Sequence, residues 1–351
     1  MPLSAHKFFL NFNLVFILCL YLVALGADFL SPQSPFESGS TRLSYAPPTA
    51  LHFNLKEGFY FYPLAPKIDP LNYQRSFIIQ TSHKCHLSFF FRGDSYKVFG
   101  LISSDRHLIG SADCPQQWHL LGTDQLGRDF LSRLIYGLRP SLFTGLLGIL
   151  IAFPLGVIYG AIAGYRGGTV GELMMRGVEL VLSLPSLYLL VILAAILPPS
   201  LSNMQRLVLI TVILSLIGWA GLARVIRGQV LSISEREYIQ AARLSGSPDW
   251  KILIQQIIPQ LSSYLVIAVT ISFPSFILGE TALSFLGMGV NQPDPSLGNI
   301  LTEGRDLANL FLRPWLALGP AIILFLLTWS CNSLGDQLRD LFDPKNQTQG
   351  A

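Results

Sequence analysis

The sequence predicts an all-α integral membrane protein that has six transmembrane helices and a small β-rich extracytoplasmic insertion between helices 1 and 2. Apolar residues make up 51% of the chain and charged residues only 13%, whereas soluble domains carry about 25% charged residues. Six segments are apolar over the roughly 20 residues that a helix needs to cross a bilayer. Residues 28–117 instead alternate in polarity and are interrupted by Pro, Gly and Asp, which is typical of short strands and turns.

The six apolar segments divide the chain into three parts: residues 1–27 with helix 1, residues 28–117 as the insertion, and residues 118–351 as the membrane core. The predicted spans are Phe8–Ala27, Ser141–Ala163, Val178–Leu197, Leu207–Val225, Leu261–Gly279 and Trp315–Leu334. Asn11 and Asn13 interrupt the first span, and "ALGAD" near its end resembles a signal-peptide cleavage site. We expect this helix to be retained. Pro154, Pro185 and Pro274 are expected to allow kinks inside spans.

Basic residues in the short loops predict the orientation of these spans, because such loops are more basic on the cytoplasmic side. With both termini in the cytoplasm, the short outside loops contain only Arg206, Arg305 and Arg313. The cytoplasmic segments then contain Lys7, Arg166, Arg176, Arg224, Arg227, Arg236, Arg243, Lys251, Arg339 and Lys345. This arrangement predicts a multi-pass protein with cytoplasmic termini and places the insertion outside.

The segment before the second span predicts an amphipathic helix at the membrane interface, over residues 124–138. Its apolar residues fall near one face, and either Thr123 or Asp124 is expected to cap it. A substrate-binding role for the charged residues of this segment is an alternative that their spacing does not favour; these residues are Asp124, Arg128 and Asp129.

Cys85 and Cys114 both fall in the predicted extracytoplasmic insertion, where an oxidising environment permits a disulfide. We hypothesise that they are bonded to each other; two independent buried thiols are the alternative. The histidines of this region lack the spacing of metal ligands and are expected at the surface, and no metal site is predicted; they are His52, His83, His86 and His107.

The polar stretch 226–259 separates two predicted spans and is far longer than the usual connection of about 4–6 residues. Helix formers precede Gly246, which can adopt the left-handed conformation that ends a helix. Ser247 is then expected to cap a second helix, with Pro248 at its first position and Asp249 at the positive end of its dipole. That helix should run to Pro259 and kink or restart there. The stretch therefore predicts a rigid helical elbow on the cytoplasmic side.

This elbow resembles the EAA signature of ABC-importer permeases. The matching residues are Gln240-Ala241-Ala242, Gly246 and Ile258-Pro259, with the Gly-to-Pro spacing of the signature kept. Gln240 replaces the usual Glu, and Gln256 stands where an Ile is usual. Shape and the fit of small residues should therefore matter more here than an ion pair.

Several further stretches resemble the dipeptide, oligopeptide and nickel branch of these importers, in its second-permease subfamily. Together they cover most of residues 118–345. They are "LGTDQLGRDFLSRLIYGLRPSL", "GYRGG", "LSLPSLYLL", "ETALSFLGMGV" and "LGDQLRDLFDPK".

The resemblance implies the type I importer permease fold in the bacterial inner membrane. It also implies four kinds of partner: the lipid bilayer, a second permease, two ABC ATPase subunits and an extracytoplasmic substrate-binding protein. The ATPases would bind the elbow through Gln240, Ala241, Ala242, Arg243, Gly246, Ser247, Pro248, Asp249 and Trp250. The chain has no GxxxxGK[ST] phosphate loop. No catalytic residue or cofactor is therefore expected in it, and the partners would bind ATP.

Peptides are the expected substrate, although importers of dipeptides, longer peptides, nickel chelates and opines share this permease sequence pattern. Glu280, near the end of the fifth span, is a candidate for the pathway, because an ionisable group in a span is often functional. A structural hydrogen bond is its alternative role. An ion-coupled secondary transporter or channel would be expected to show several carboxylates deep in the spans and inverted repeats, which this sequence does not show. The sequence has no basic stripe with interleaved aromatic residues, so nucleic-acid binding is not predicted.

Overall fold

The computed structural model describes residues 3–36, 43–68, 70, 75–98, 102–111, 114 and 118–342. Helices dominate these residues, and all of the strands described fall between residues 51 and 110. The α-helices are α1 Leu3–Leu25, α2 Ala27–Leu30, α3 Phe130–Arg166, α4 Gly168–Ser183, α5 Ser186–Ala195, α6 Asn203–Ser234, α7 Glu237–Leu244, α8 Asp249–Ile252, α9 Ser262–Phe285, α10 Leu297–Leu301, α11 Leu307–Leu312 and α12 Pro314–Phe342. A π-helical turn, Leu253–Ile257, and a 3-10 turn, Ile258–Leu261, connect α8 to α9. A second 3-10 turn, Thr302–Arg305, follows α10.

The strands form small antiparallel sheets in the region where the sequence predicts strands. β1 pairs with β2, β2 with β5, β3 with β4, β6 with β9 and β7 with β8. Their bounds are β1 Leu51–Asn54, β2 Gly58–Phe61, β3 Leu64–Ile68, β4 Arg75–Ile79, β5 Cys85–His86, β6 Ser88–Phe89, β7 Arg92–Val98, β8 Ile102–Arg106 and β9 Ile109–Gly110.

Cys85 and Cys114 form a disulfide in the structure. Cys85 is buried in an apolar cluster with Phe61 and Trp118. The ring of His83 lies beside this bond, with its ligand atom and the two sulfurs within 4.8 Å of one another. Because both sulfurs belong to the disulfide, neither is a thiolate, which is the form of cysteine that binds metals.

The chain divides into two compact units. One contains residues up to Ile17, Leu142–Leu283 and the chain from Leu326 onward; the other contains Leu18–Ser141 and Ser284–Phe325. The first unit contains the elbow, and the second contains the strands.

Four helices among the described residues are long and apolar enough to cross a membrane: α3, α6, the helical run Asp249–Phe285, and α12. α4 and α5 together make a possible fifth span, but they are bent by 79°. The kink expected at Pro185 inside the predicted span Val178–Leu197 is confirmed, and it divides this segment between α4 and α5. Leu184 and Pro185 form the bend, since Pro185 disfavours helical conformation in the residue before it and has no N–H to donate. The helical run around Pro274 is unbroken.

The separate interfacial helix predicted over residues 124–138 is also absent. α3 begins at Phe130 and continues through Pro140 to Arg166. The side chain of Asp129 accepts hydrogen bonds from both the backbone N–H and the hydroxyl of Ser132, each at 2.7 Å. Asp129, rather than Thr123 or Asp124, thus provides the cap at the start of α3.

In the first unit, α1 is joined to α12 by a buried polar contact. Asn13 is fully buried, and its Nδ2 donates to the Ser333 hydroxyl at 2.8 Å. The Gln337 amide donates to the same oxygen at 3.2 Å. Hydrogen bonds of this kind hold helices together within a bilayer. Asn13, which interrupts the apolar pattern of the first span, thus has a packing partner.

In the second unit, Arg139 holds the end of α1. Its guanidinium donates to the Ala24 carbonyl at 2.7 Å and the Leu25 carbonyl at 3.2 Å, which are among the carbonyls that a helix leaves unpaired at its C-terminus. It also pairs with Asp28 at 2.7 Å, and the Tyr136 hydroxyl donates to Asp28 at 2.6 Å.

We expect Asp28→Asn to lower the free energy of unfolding by about 1.5–3 kcal/mol at neutral pH, the usual range for hydrogen bonds to a charged group. Burial by itself would raise the pKa of Asp28, but the hydrogen bonds from Arg139 and Tyr136 outweigh it and hold the pKa below its ordinary value. The stabilisation is therefore present above the unfolded-state pKa of about 4 and is lost as the pH falls through the folded-state value.

Thermal unfolding in detergent, followed from neutral pH into acid, measures this difference. Asp105→Asn is the matched control, because Asp105 is half exposed and lies 3.8 Å from Arg92. Its effect should be small at every pH. A stability gap between wild type and Asp28→Asn that stays constant below pH 4 would contradict the assignment.

Candidate functional site

The elbow consists of two helices, α7 and α8, joined by a tight left-handed turn at Gly246. Gly246 has φ +79°. Its N–H donates to the Arg243 carbonyl at 3.0 Å, and the Ser247 N–H donates to the Ala242 carbonyl at 3.1 Å. These two bonds are the Schellman arrangement that ends helices at a glycine. The predicted end of the first elbow helix is confirmed.

The predicted start of the second elbow helix is wrong by one residue. Pro248, with φ −68° and ψ 142°, is the N-cap of α8, which begins at Asp249. Ser247 lies before the cap, and no side chain caps the helix. Pro248 can occupy the cap position because its extended ψ is compatible with the fixed φ of the ring.

Three isoleucines fix the elbow to the helices of the first unit. Ile239, Ile252 and Ile257 are fully buried. They belong to one apolar cluster with residues of α3 and α6; the remaining buried members are Ala161, Tyr165, Ile226, Val230, Ile233 and Leu261. Burying an isoleucine side chain contributes about 1.5–3 kcal/mol, so the elbow and the ends of α3 and α6 form one packed body.

A polar clamp adds to this packing at the C-terminal end of α3. The Tyr165 hydroxyl donates to Asp249 at 3.0 Å and accepts from Arg243 Nε at 3.1 Å. The Arg243 guanidinium also lies 4.1 Å from the centroid of the Tyr165 ring, within the range of a cation–π interaction. Tyr165 therefore connects both arms of the elbow to α3.

The structure brings the predicted coupling residues together on this elbow, and most of them face outward. Ala242 and Ser247 are half-buried, and Ala242 packs on the apolar cluster. The amide of Gln240 donates to the Glu235 carbonyl at 3.3 Å, beside the start of α7. The exposed members are Gln240, Ala241, Arg243, Gly246, Pro248, Asp249 and Trp250.

Two apolar side chains of the elbow are strongly exposed. Leu244 is 89% exposed and Trp250 is 62% exposed. Each of these side chains would lose contact with water if another surface covered it, which is favourable for an apolar group.

Pro259 lies where the helical run changes type, and the expected restart follows it, since α9 begins at Ser262. The π-helical turn Leu253–Ile257 and the following 3-10 turn carry the helix past it. Such turns are a common way to accommodate a disturbed hydrogen-bond ladder within a helix.

A row of glycines on α3, which sequence reasoning missed, brings α3 and α6 close together. A Cβ on Gly160 would lie 2.5 Å from the Ala223 carbonyl oxygen, and one on Gly164 would lie 2.7 Å from the Arg227 carbonyl oxygen. A Cβ on Gly156 would lie 2.9 Å from the side chain of Leu222. The spacing GxxxGxxxG was the available signal, because small residues four apart allow helices in membranes to approach closely.

The first unit also contains a cavity of about 420 Å³ between α3, α5, α6 and α9. Its walls are mostly apolar, and Tyr264, Ser272 and Ser275 supply hydroxyl groups. No charged side chain lines it. The other lining residues are Ala152, Phe153, Leu190, Leu214, Ile217, Gly218, Gly221, Leu222, Val225, Ala268 and Phe276.

Glu280 is fully buried in α9 and is not among the residues that line this cavity. Its role in a pathway stays a prediction.

Asp124 and Arg128 lie in a buried network of the second unit, away from solvent. Asp124 accepts from the backbone N–H groups of Leu126 and Arg128 at 2.8 and 2.9 Å and from Arg128 Nε at 2.7 Å. Arg128 also donates to Gln292 at 2.6 Å. These contacts close a turn. The charged groups of Asp124 and Arg128 are therefore paired within the protein, whereas the alternative interpretation assigned them to substrate binding.

Glu303 lies near this network, within reach of the charges of Asp124 and Arg128. Its carboxylate accepts a hydrogen bond from the Tyr45 hydroxyl at 3.3 Å. Burial and the charge of Asp124 raise the pKa of Glu303, although Arg133, the hydrogen bond from Tyr45 and Arg128 oppose this shift. Sequence reasoning did not identify Glu303 or Tyr45, because their contact joins residues that are far apart in the chain.

Residues 156–348 match the profile of a family described as binding-protein-dependent transport system inner membrane component. The chain is 37% identical over 244 residues to the oligopeptide transport system permease protein OppC of Haemophilus influenzae, covering 70% of this chain and 76% of that protein. It is 38% identical over 242 residues to the dipeptide transport system permease protein DppC of Bacillus subtilis, covering 69% and 72%. A solved structure of the MetNI methionine ABC transporter, described as inward facing, aligns with a TM-score of 0.45 and 20% identity, covering 60% of this chain and 97% of that one.

Proposed function

Because the chain belongs to the family of inner membrane components of binding-protein-dependent transport systems, we propose that it is one permease of a type I ABC importer for peptides. The observation that carries this proposal is the rigid elbow, which is packed on α3 and α6 and presents the exposed Leu244 and Trp250. A partner that moves the elbow would move both helices with it. Such rigid-body switching is a common mechanism of conformational change.

In this proposal the two ABC ATPase subunits bind from the cytoplasm, one of them on this elbow, and they supply all ATP hydrolysis. A second permease completes the pathway, and an extracytoplasmic protein delivers the substrate. α1 is retained as the first of six spans in the bacterial inner membrane, which the buried contact of Asn13 with α12 supports. Both termini are then cytoplasmic, and the strands form an extracytoplasmic insertion.

Peptides are proposed as the substrate because the named relatives are oligopeptide and dipeptide permeases. The cavity between α3, α5, α6 and α9 is the part of the pathway that this chain contributes. It offers hydroxyls but no charged side chain. Walls of this kind suit peptides of varied sequence, since they cannot select strongly for one charged side chain. No observation favours an ion-coupled transporter.

Reconstitution in vesicles with the candidate ATPases, second permease and binding protein tests the proposal. Peptide should stimulate ATP hydrolysis and enter the vesicles. The double variant Leu244→Ser, Trp250→Ser should weaken ATPase binding by at least about tenfold, because burying each apolar side chain is worth about 1.5–3 kcal/mol.

Leu341→Ser is the matched control. Leu341 is 55% exposed near the end of α12 and lies outside the elbow, so ATPase binding should not change. Uptake that needs an ion gradient and no ATP would overturn the proposal. Unchanged ATPase binding by the double variant would show that the elbow is not the surface that the ATPase binds.

A further inference from the structure

Polar and apolar side chains are arranged unusually on α11, the short helix just before α12. The one polar residue of this helix, Asn309, is buried, whereas every other residue of the helix is exposed. The exposed fractions of the large apolar side chains are 69% for Leu307, 41% for Leu310, 80% for Phe311 and 68% for Leu312. A surface helix of a soluble protein has the opposite pattern, with its apolar side inward and its polar side in water.

Polar contacts hold the inward side of α11. The side-chain oxygen of Asn309 accepts a hydrogen bond from Arg313 Nη1 at 2.7 Å. Its Nδ2 donates to the Tyr45 hydroxyl at 3.1 Å and to the backbone carbonyl of Glu303 at 3.2 Å. The Arg313 guanidinium also lies 4.2 Å from the centroid of the Tyr45 ring. The orientation of the helix is therefore fixed by its polar residue, and its apolar side chains face outward as a consequence.

α11 is joined to α12 by one residue, Arg313, which is bonded to both helices. Its N–H donates to the Asn309 carbonyl at 2.8 Å, and its carbonyl accepts from the Leu316 N–H at 3.1 Å. Its φ of −139° and ψ of 55° are not helical, so α11 does not continue along the axis of α12. The two helices form a fixed junction with a change of direction.

This junction lies at the end of a span. α12 is long and apolar enough to cross a membrane, and its second residue is Trp315, a residue type that is enriched at the membrane–water interface. Leu312 lies two residues before Pro314, a separation of at most about 7 Å in an extended chain. The polar headgroup region is roughly 5–8 Å thick on each side of a bilayer. The end of α11 is therefore close enough to the span to lie at the interface.

The first part of α12 also exposes an apolar stripe. Leu318, Ile322 and Phe325 are 51%, 51% and 68% exposed. Their spacing of four and three residues places them on one face of the helix. In a helix that crosses a membrane, such a face lies against lipid. Apolar exposure therefore does not stop where the span begins but extends through α11.

A cation lies next to the apolar side chains of α11. Arg305 is exposed just before the helix, and its guanidinium lies 4.4 Å from the centroid of the Phe285 ring. The carboxylate of Asp306, between Arg305 and α11, caps the helix by accepting a hydrogen bond from the Ala308 N–H at 3.0 Å. Guanidinium groups bind phosphates well. An apolar helix face beside a cation matches a lipid surface, where headgroup phosphates lie next to acyl chains.

We propose that α11 is an interfacial helix, whose leucines and Phe311 lie in the lipid around the end of α12 while Arg305 lies at the headgroup phosphates. Removing these side chains from water is favourable, and the buried Asn309 is the anchor that turns them toward the lipid. The end of the segment between α9 and α12 then lies on the membrane instead of projecting from it. The proposal rests on α12 crossing the membrane and not on the proposed transport function.

A nitroxide spin label on Phe311→Cys, in the full-length chain in lipid nanodiscs, tests the proposal. Cys19→Ala removes the exposed free cysteine, and the buried Cys331 is kept. Oxygen concentrates in lipid, whereas a charged nickel chelate stays in water. The ratio of oxygen to nickel accessibility should be severalfold higher for this label than for one on Lys56→Cys, the control at an exposed residue in the turn between β1 and β2. Leu307→Cys provides a second label position, with the same expected result.

Accessibility ratios at both positions that equal the ratio of the Lys56→Cys label would overturn the proposal. Labels that nickel reaches in the nanodisc, and that are protected only after the candidate binding protein or second permease is added, would also overturn it. In that case α11 would be a protein-docking surface. The nanodisc measurement needs no ATPase and no substrate, so failure of this proposal is separate from failure of the proposed transport function.

Discussion

Replacing Gly160 with alanine should lower the stability of the permease and reduce transport. The added Cβ would lie 2.5 Å from the Ala223 carbonyl oxygen and 2.9 Å from the Ile226 Cβ. A backbone oxygen cannot rotate away as a side chain can, so α3 and α6 must separate. Overpacking of this kind costs about 1–3 kcal/mol, and the separation disturbs the cluster on which the elbow is packed.

Gly228→Ala is the matched control, because it makes the same change in α6 where an added Cβ meets nothing within 4 Å. Alanine is a better helix former than glycine by about 0.5–1 kcal/mol, so this variant should be slightly more stable. Thermal unfolding in detergent should therefore give opposite signs for the two variants. Equal effects at Gly160 and Gly228 would show that close packing of α3 on α6 is not what Gly160 provides.

Gly246→Val should weaken the stimulation of ATP hydrolysis by peptide. Gly246 has φ +79°, a conformation that β-branched residues almost never adopt. The strain is of the order of 1–3 kcal/mol, and each ~1.4 kcal/mol changes an equilibrium tenfold. We expect roughly a tenfold or greater loss of peptide-stimulated ATP hydrolysis in reconstituted vesicles, while the spans remain folded.

Gly246→Asn separates backbone strain from the loss of space. A Cβ at this position meets nothing within 4 Å, and asparagine tolerates the left-handed region. This variant should retain most of the coupling. If valine and asparagine reduce coupling equally, the conformation of the turn is not the cause.

The membrane character and the strand region were predictable because hydrophobic length and alternating polarity are local properties. The position of the bend at Leu184–Pro185 was also predictable from the proline, but its size of 79° was not, because the apolar run 178–197 continues across it. An unbroken run of this length is compatible with either one straight helix or two bent ones. α1 is not among the four or five spans that length and apolarity identify. Asn13 interrupts its apolar pattern, yet this side chain is buried against Ser333.

The elbow was largely predictable, since Gly246 and the residues around it act through local backbone preferences. The one-residue error at Ser247 arose because a serine before a proline resembles an N-cap, while the structure uses Pro248 itself. The close approach of α3 and α6 at Gly160 and the burial of His107, which is only 4% exposed although the sequence predicts it at the surface, could not be derived in the same way. Both depend on pairs of residues that meet only after the chain has folded.

The π-helical turn before Pro259 determines which way the elbow faces. Ile252 and Ile257 are five residues apart, yet both are buried in the same cluster. In a regular α-helix of 3.6 residues per turn, side chains five apart would differ by about 140° in direction. Deleting one residue from Leu253–Ile257 would favour a regular helix and rotate α8 by about 100° relative to α9. The length of this turn, as well as its composition, is therefore a constraint on the protein: a single-residue deletion would leave α7 and α8 able to form but would turn Trp250 away from its present direction.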